Sequence, residues 1–112
     1  LNYLNNTQKT NKKDAAALAS FIATQENISS KTDAKAADII DKYGEKNTYY
    51  LDCLSTLQSR LGRFEQAYKN QLKVLNLLIE ARKEKPDLIS EEVIESNREK
   101  VEEYQRKAAN SR

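Results

Sequence analysis

The chain has no histidine, no methionine and no tryptophan, and only one cysteine, one proline and two glycines in 112 residues. Each shortage removes a class of structure or chemistry. A zinc site of the Cys/His type cannot be assembled from Cys53 alone, and neither a Ser–His nor a Cys–His nucleophilic pair exists. One cysteine excludes an intramolecular disulfide and leaves the redox compartment open, since a lone thiol is tolerated in either setting. Two glycines and one proline are too few for the many turns of an all-β chain. The longest unbroken apolar runs, Ala15 to Ala19 and Leu77 to Ile79, fall far short of the ~20 residues of a membrane span.

One-sided charge is missing too. Lys and Arg number 19 against 17 Asp and Glu, a net charge of +2. Phosphate binding needs concentrated cations. Between residues 63 and 85, Lys69, Lys73, Arg82, Lys83 and Lys85 are offset by Glu80 and Glu84, so no strong nucleic-acid signal is expected. The start at Leu1 and the lack of methionine lead us to expect a piece of a longer protein, with any targeting segment outside it.

What remains is rich in Ala, Lys, Glu, Leu and Gln, good helix formers. Leu, Ile, Val and Phe make up about a fifth of the chain, near the lower limit for folding. Their spacing is therefore decisive, and it is helical. Residues 1–10 read as a poorly ordered lead-in with Tyr3 and Leu4 as anchors, and Lys9, Lys12 and Lys13 as a solvated basic entry. A first helix is predicted over 11–25, capped by Thr10 or Asn11, with Ala15, Leu18, Ala19, Ile22 and Ala23 on its buried face and Phe21 beside them. Ser30 to Asp33 has the form of a capping box. The second helix, 31–43, buries Ala36, Ala37, Ile39, Ile40 and Tyr43 and ends at Gly44 in a left-handed conformation.

A third helix over 48–61 places Tyr50, Cys53, Leu54, Leu57 and Leu61 on one stripe widened by Leu51, with Asp52, Gln58 and Ser59 on the wetter side. Gly62 ends it. The fourth helix, 63–85, has two apolar faces: Phe64, Ala67, Tyr68, Leu72, Leu75, Leu78 and Ile79 on one, Val74, Leu77 and Ala81 on the other. It is expected to pack against two neighbours at the centre of the domain. Pro86 breaks the chain, Leu88 and Ile89 plug the end of the core, and Ser90 caps a last helix. That helix carries Ile94, Asn97, Val101, Tyr104 and Ala108 at heptad-like spacing, and Glu102 with Arg106 and Glu103 with Lys107 as supporting pairs.

The expected fold is all-α, built from antiparallel helical hairpins. Residues 11–112 form a single helical domain: hairpin 11–44, hairpin 47–85 and a C-terminal capping helix 90–108. The run Leu61-Gly62-Arg63-Phe64-Glu65-Gln66-Ala67, preceded by Leu51 and Leu54, resembles the inter-helix turn of a tetratricopeptide (TPR) repeat. Leu51, Leu54, Gly62, Phe64 and Ala67 are its structural positions. Ser55 stands where that family prefers Gly or Ala, and Gln71 and Val74 replace the usual aromatic and Ala, so the repeat is degenerate. Helix 63–85 overruns the place of a repeat-ending proline by about two turns. The Tyr49-Tyr50-Leu51-Asp52 entry with this turn also looks like the helical tails, C-terminal modules, of larger bacterial proteins such as thioredoxin-like enzymes.

The resemblance implies a module that holds a protein, a peptide or another domain of its own chain. It places Tyr49, Asp52, Thr56, Ser59 and Arg60 on the groove side of the third helix, for tyrosine stacking and arginine–carboxylate pairing with a partner. Ordinary solvated surface is the competing reading of the same five residues. Cys53, on an apolar stripe with no histidine to activate it, reads as a buried inert thiol. The carboxylates are scattered at helix-supporting spacing, so no acid–base pair, catalytic residue, metal site or cofactor is expected.

Overall fold

A computed structural model describes residues 12–25, 29–44 and 46–110, with side chains from Ala15 onward. The lead-in 1–10, with Lys9 of the basic cluster, and the Thr10 or Asn11 cap lie outside these residues, while Lys12 and Lys13 fall in the first turn of the first helix. Among the described residues the chain is all-α, with five helices and no strand: α1 (Lys12–Ala23), α2 (Ser30–Tyr43), α3 (Thr48–Arg60), α4 (Phe64–Glu84) and α5 (Glu91–Asn110). Each packs on the next, as short connections require, and α1 also touches α3. The helix with most neighbours is thus α3, in contact with α1, α2 and α4, whereas α4 lies between α3 and α5. The two neighbours expected for α4 are α3 and α5, and these two contacts are the most extensive among the described residues.

In α1, Ala15, Ala16, Ala19, Ser20 and Ile22 are buried, and the small side chains let α2 and α3 approach closely. Leu18 and Phe21 were expected at or beside this face. They are 36% and 56% exposed, because the helix is rotated to bury Ala16 and Ser20 instead. The cap of α2 is Ser29, one residue earlier than the expected capping box: its hydroxyl accepts from the Thr32 N–H at 3.1 Å. Asp33, only 1% exposed, turns into the protein. The predicted face of α2 is buried at Ala36, Ala37, Ile39 and Ile40, with Tyr43 packed at its margin.

Gly44 is not left-handed. Its φ of −76° is right-handed, and its N–H donates to the Ile40 carbonyl at 2.7 Å. Glycine is needed there for space: a Cβ would lie 2.7 Å from the Ile40 carbonyl oxygen and 3.2 Å from Tyr50 Cβ. Gly62 is the reverse case, with φ +76° and nothing within 4 Å of an added Cβ. The Arg63 N–H reaches back to the Gln58 carbonyl at 2.8 Å across this turn, a Schellman-type closure of α3.

Two apolar clusters follow from the two-sided α4. Val74 joins Leu51, Cys53, Leu54, Leu57 and the α1–α2 residues, with Leu77 and Leu78 at the edge. Leu75 joins Ile94 and Val101 of α5, with Tyr68, Leu72, Leu78, Ile79 and Ile89 around them. Burying a side chain such as Leu54 or Leu57, each 1% exposed or less, contributes ~1.5–3 kcal/mol. Beyond Pro86, Ile89 packs into the second cluster, but Leu88 is 75% exposed, in a turn closed by the Leu88 N–H donating to the Lys85 carbonyl. Ser90 Oγ accepts from the Val93 N–H at 3.2 Å, and Glu91 and Glu92 stand in the first turn of α5, where the helix dipole favours them. The stripe Ile94, Val101, Tyr104 and Ala108 is buried as its spacing predicts. Glu103 and Lys107 pair at 3.6 Å.

Candidate functional site

Tyr49, Asp52, Thr56 and Ser59 recur at three- and four-residue steps along α3, so they share one stripe of the helix. The stripe lies opposite the core positions Leu51, Leu54 and Leu57, between α1 on one side and α5 on the other.

Along the α5 side, Asp52 Oδ1 accepts from Gln71 Nε2 at 3.0 Å and from Lys100 Nζ at 3.4 Å. Ser59 lies beside the Tyr104 phenol. Burial raises the pKa of that phenol, with the Ser59 contact acting the other way. Along the α1 side, Cys53 is buried beside Ser20. Burial pushes its thiol up, and the Tyr49 and Ser20 hydroxyls oppose this without cancelling it. A raised thiol pKa keeps the sulfur protonated and weakly nucleophilic. Between the edges, Tyr49 is 55% exposed and its ring is tilted against Tyr50 at 5.9 Å. Its own pKa is raised, first by the neighbouring Cys53. Thr56 donates its hydroxyl to the Asp52 carbonyl at 3.0 Å.

Arg60, the fifth residue of the expected groove, turns away from this surface. Its Nε and Nη2 clasp Asp33 at 3.2 and 2.8 Å. Nη2 also donates to the Ile22 carbonyl at 3.0 Å, and Nη1 to those of Gln25 at 2.7 Å and Ala23 at 3.5 Å. Every guanidinium hydrogen is engaged. Arg60 thus satisfies the carbonyls left open at the end of α1 while pairing with a carboxylate of α2. Its arginine–carboxylate bond is internal.

Of the structural positions, Leu51, Leu54 and Ala67 are buried, Gly62 makes the turn, and Phe64 is half-buried with Lys107 Nζ 5.5 Å above its ring.

A polar network behind the α3 face went unread in the sequence. Gln71, fully buried, donates to Asp52 and to Asn97 Oδ1 at 2.7 Å. Its carbonyl oxygen accepts from Ser55, also fully buried. Gln58, expected on the wet side, is 6% exposed and accepts from Asn70 Nδ2 at 2.8 Å. The readable signal was polar residues at core spacing on adjacent helices, since buried polar groups must find partners.

Among the described residues no three metal-ligating side chains cluster, and no helix is long and apolar enough to cross a membrane. No protein-family model matches the chain, and no curated protein or solved structure shows significant similarity to it.

Proposed function

We propose that the chain is a non-catalytic module for protein or peptide interaction, built from TPR-like hairpins, with the α3 face as its contact surface. The observation that carries this reading is the order of helix neighbours. Contacts of α1 with α2 and α3, of α2 with α3, then of α3 with α4 and α4 with α5, support a reading as stacked hairpins with a final cap. In such a stack the first helix of each hairpin offers one side to a partner. Here that side holds an exposed tyrosine, a carboxylate and two hydroxyls. The lack of histidine and the buried, protonated thiol favour a binding role over catalysis. Affinity capture with the wild-type chain and with Tyr49→Asp tests it: a partner held by the first and lost by the second fits the reading, and a partner held equally by both contradicts it.

A second reading, a helical accessory domain of a larger enzyme such as a thioredoxin-like one, draws on Leu18 and Phe21. These large apolar side chains are exposed on α1, where a neighbouring domain of the same chain would dock. In that case a Phe21→Ser variant loses contact with the neighbouring domain, and Tyr49→Asp does not.

A further inference from the structure

The groove between α2 and α4 is a second surface, and none of its residues belongs to the α3 face. Both helices pack on α3, and the groove above it is a cleft of about 280 Å³. Ligand pockets run from about 300 to 1,000 Å³, so this one suits a small molecule. Asp38 and Asp41 of α2 form one wall. Arg63, at the start of α4, forms the other with Lys69 and Lys73. All five are exposed, and among the described residues no ion pair engages any of them. Each wall also sets like charges on adjacent turns, a cost to its helix.

The floor is polar and only partly used. Gln58 of α3 and Asn70 of α4 line the cleft and are 6% and 8% exposed. The bond from Asn70 Nδ2 to Gln58 Oε1 engages one donor and one acceptor. It leaves Gln58 Nε2 as a donor and Asn70 Oδ1 as an acceptor, with no other protein partner among the described residues. Neither atom is sealed from solvent, since the sealed and unpartnered side-chain atom among the described residues is Ser20 Oγ. A free amide donor next to a free amide acceptor is the complement of a peptide group.

We propose that this cleft binds a small zwitterion of dipeptide size, with an ammonium at one end, an amide between and a carboxylate at the other. Asp38 and Asp41 hold the ammonium. Arg63 takes the carboxylate on its planar fork, with Lys69 and Lys73 as point charges beside it. Gln58 Nε2 donates to the ligand's amide oxygen, and Asn70 Oδ1 accepts from its N–H. Selection rests on the separation of charge and not on its sum. The carboxylates and cations of the two walls nearly cancel, so a ligand of one sign is attracted by one wall and repelled by the other. A ligand with both signs is attracted by both.

The test is an NMR titration of the full ¹⁵N-labelled chain, at low ionic strength, with alanyl-alanine. The controls are its N-acetylated form, its C-terminal amide and free alanine. The dipeptide is expected to shift the side-chain amides of Gln58 and Asn70 and the backbone amides of Asp41 and Lys69 saturably, with a dissociation constant on the order of 1 mM. Each control binds about tenfold more weakly or not at all, since it lacks one of the three groups. Asp38→Asn with Asp41→Asn, and separately Lys69→Gln with Lys73→Gln, weaken the dipeptide by about tenfold, with helical circular dichroism retained. Tyr49→Ala leaves binding unchanged. Absence of saturable shifts, equal binding of the dipeptide and any control, or full affinity in both charge variants would overturn the proposal.

Discussion

Ser55 of α3 and Gln71 of α4 bond to each other in the interior, and neither is exposed to solvent. Both positions depart from the pattern that the proposed TPR-like reading expects. The departures are complementary: each residue supplies the partner that the other needs. Gln71 then extends the connection to Asp52 and Asn97, so one carboxamide ties together α3, α4 and α5.

The coupling is measurable. Gln71→Leu strands the groups that it satisfies and is expected to cost about 1–3 kcal/mol. Ser55→Ala alone costs less, since it removes the hydroxyl along with its need for a partner. In urea unfolding the double variant should lose less than the sum of the two single losses. Strict additivity would show that the contact carries no energy.

Arg60 is expected to be the most costly charged residue to remove. Asp33 is 1% exposed and Arg60 20%, so Arg60→Ala leaves a buried carboxylate unpaired and takes a donor from three carbonyls at the end of α1, of which, among the described residues, only that of Ile22 keeps another, the Gln25 N–H. A loss of about 3–5 kcal/mol is predicted. Arg60→Lys keeps the charge but not the five-donor fork and recovers only part of it. Thermal unfolding of the two variants separates charge from geometry; equal stability of Lys and Arg would refute the fork.

The two glycines fail for different reasons. Gly62→Val is destabilising because a β-branched residue resists φ +76°, while Gly62→Asn is milder because Asn enters the left-handed region more readily. Gly44→Ala needs no left-handed backbone but forces its Cβ against the Ile40 carbonyl, an overpacking of about 1–3 kcal/mol. Ala67→Leu, at a fully buried site, is expected to cost a similar amount. Asn tolerated at position 44 but not at 62 would invert this account.

Alkaline pH should destabilise the fold through Cys53 and Tyr104. Both pKa values are raised in the folded chain, from ordinary values of 9.0 and 10.0, chiefly by burial. Above those ordinary values the unfolded chain releases protons that the folded chain still holds. The unfolded state then binds fewer protons, and stability falls as pH rises. The contribution is complete below pH 9 and is lost through the raised folded values. Denaturant midpoints from pH 8 to 11 should decline, and less steeply in Cys53→Ala. A pH-independent midpoint would contradict the burial of both groups.

How much of this was legible varies with the helix. The stripe of α5, the two faces of α4 and the Gly62 turn were readable because polar residues frame them. The phase of α1 was not: Ala15, Ala16, Ala17, Leu18 and Ala19 give no polar side to orient it, and Ser20 is buried. Gln58 was placed in water because its partner, Asn70, lies on another helix. The role of Arg60 depends on the end of α1 meeting α3, a long-range event without periodicity. Tyr49, Asp52, Thr56 and Ser59 fall along one side of α3 because their spacing on a single helix fixes that relation.

The α3 face is tested most directly by replacing single residues with a photoreactive benzoylphenylalanine and mapping covalent adducts in cells that produce the protein. Three positions suffice: Tyr49 on the α3 face, Phe21 on α1 and Glu102 on the exposed side of α5. Adducts to another polypeptide from position 49, with none from 102, are the predicted result. Adducts from position 21 alone, or equally from all three, would contradict the assignment of α3 as the contact surface.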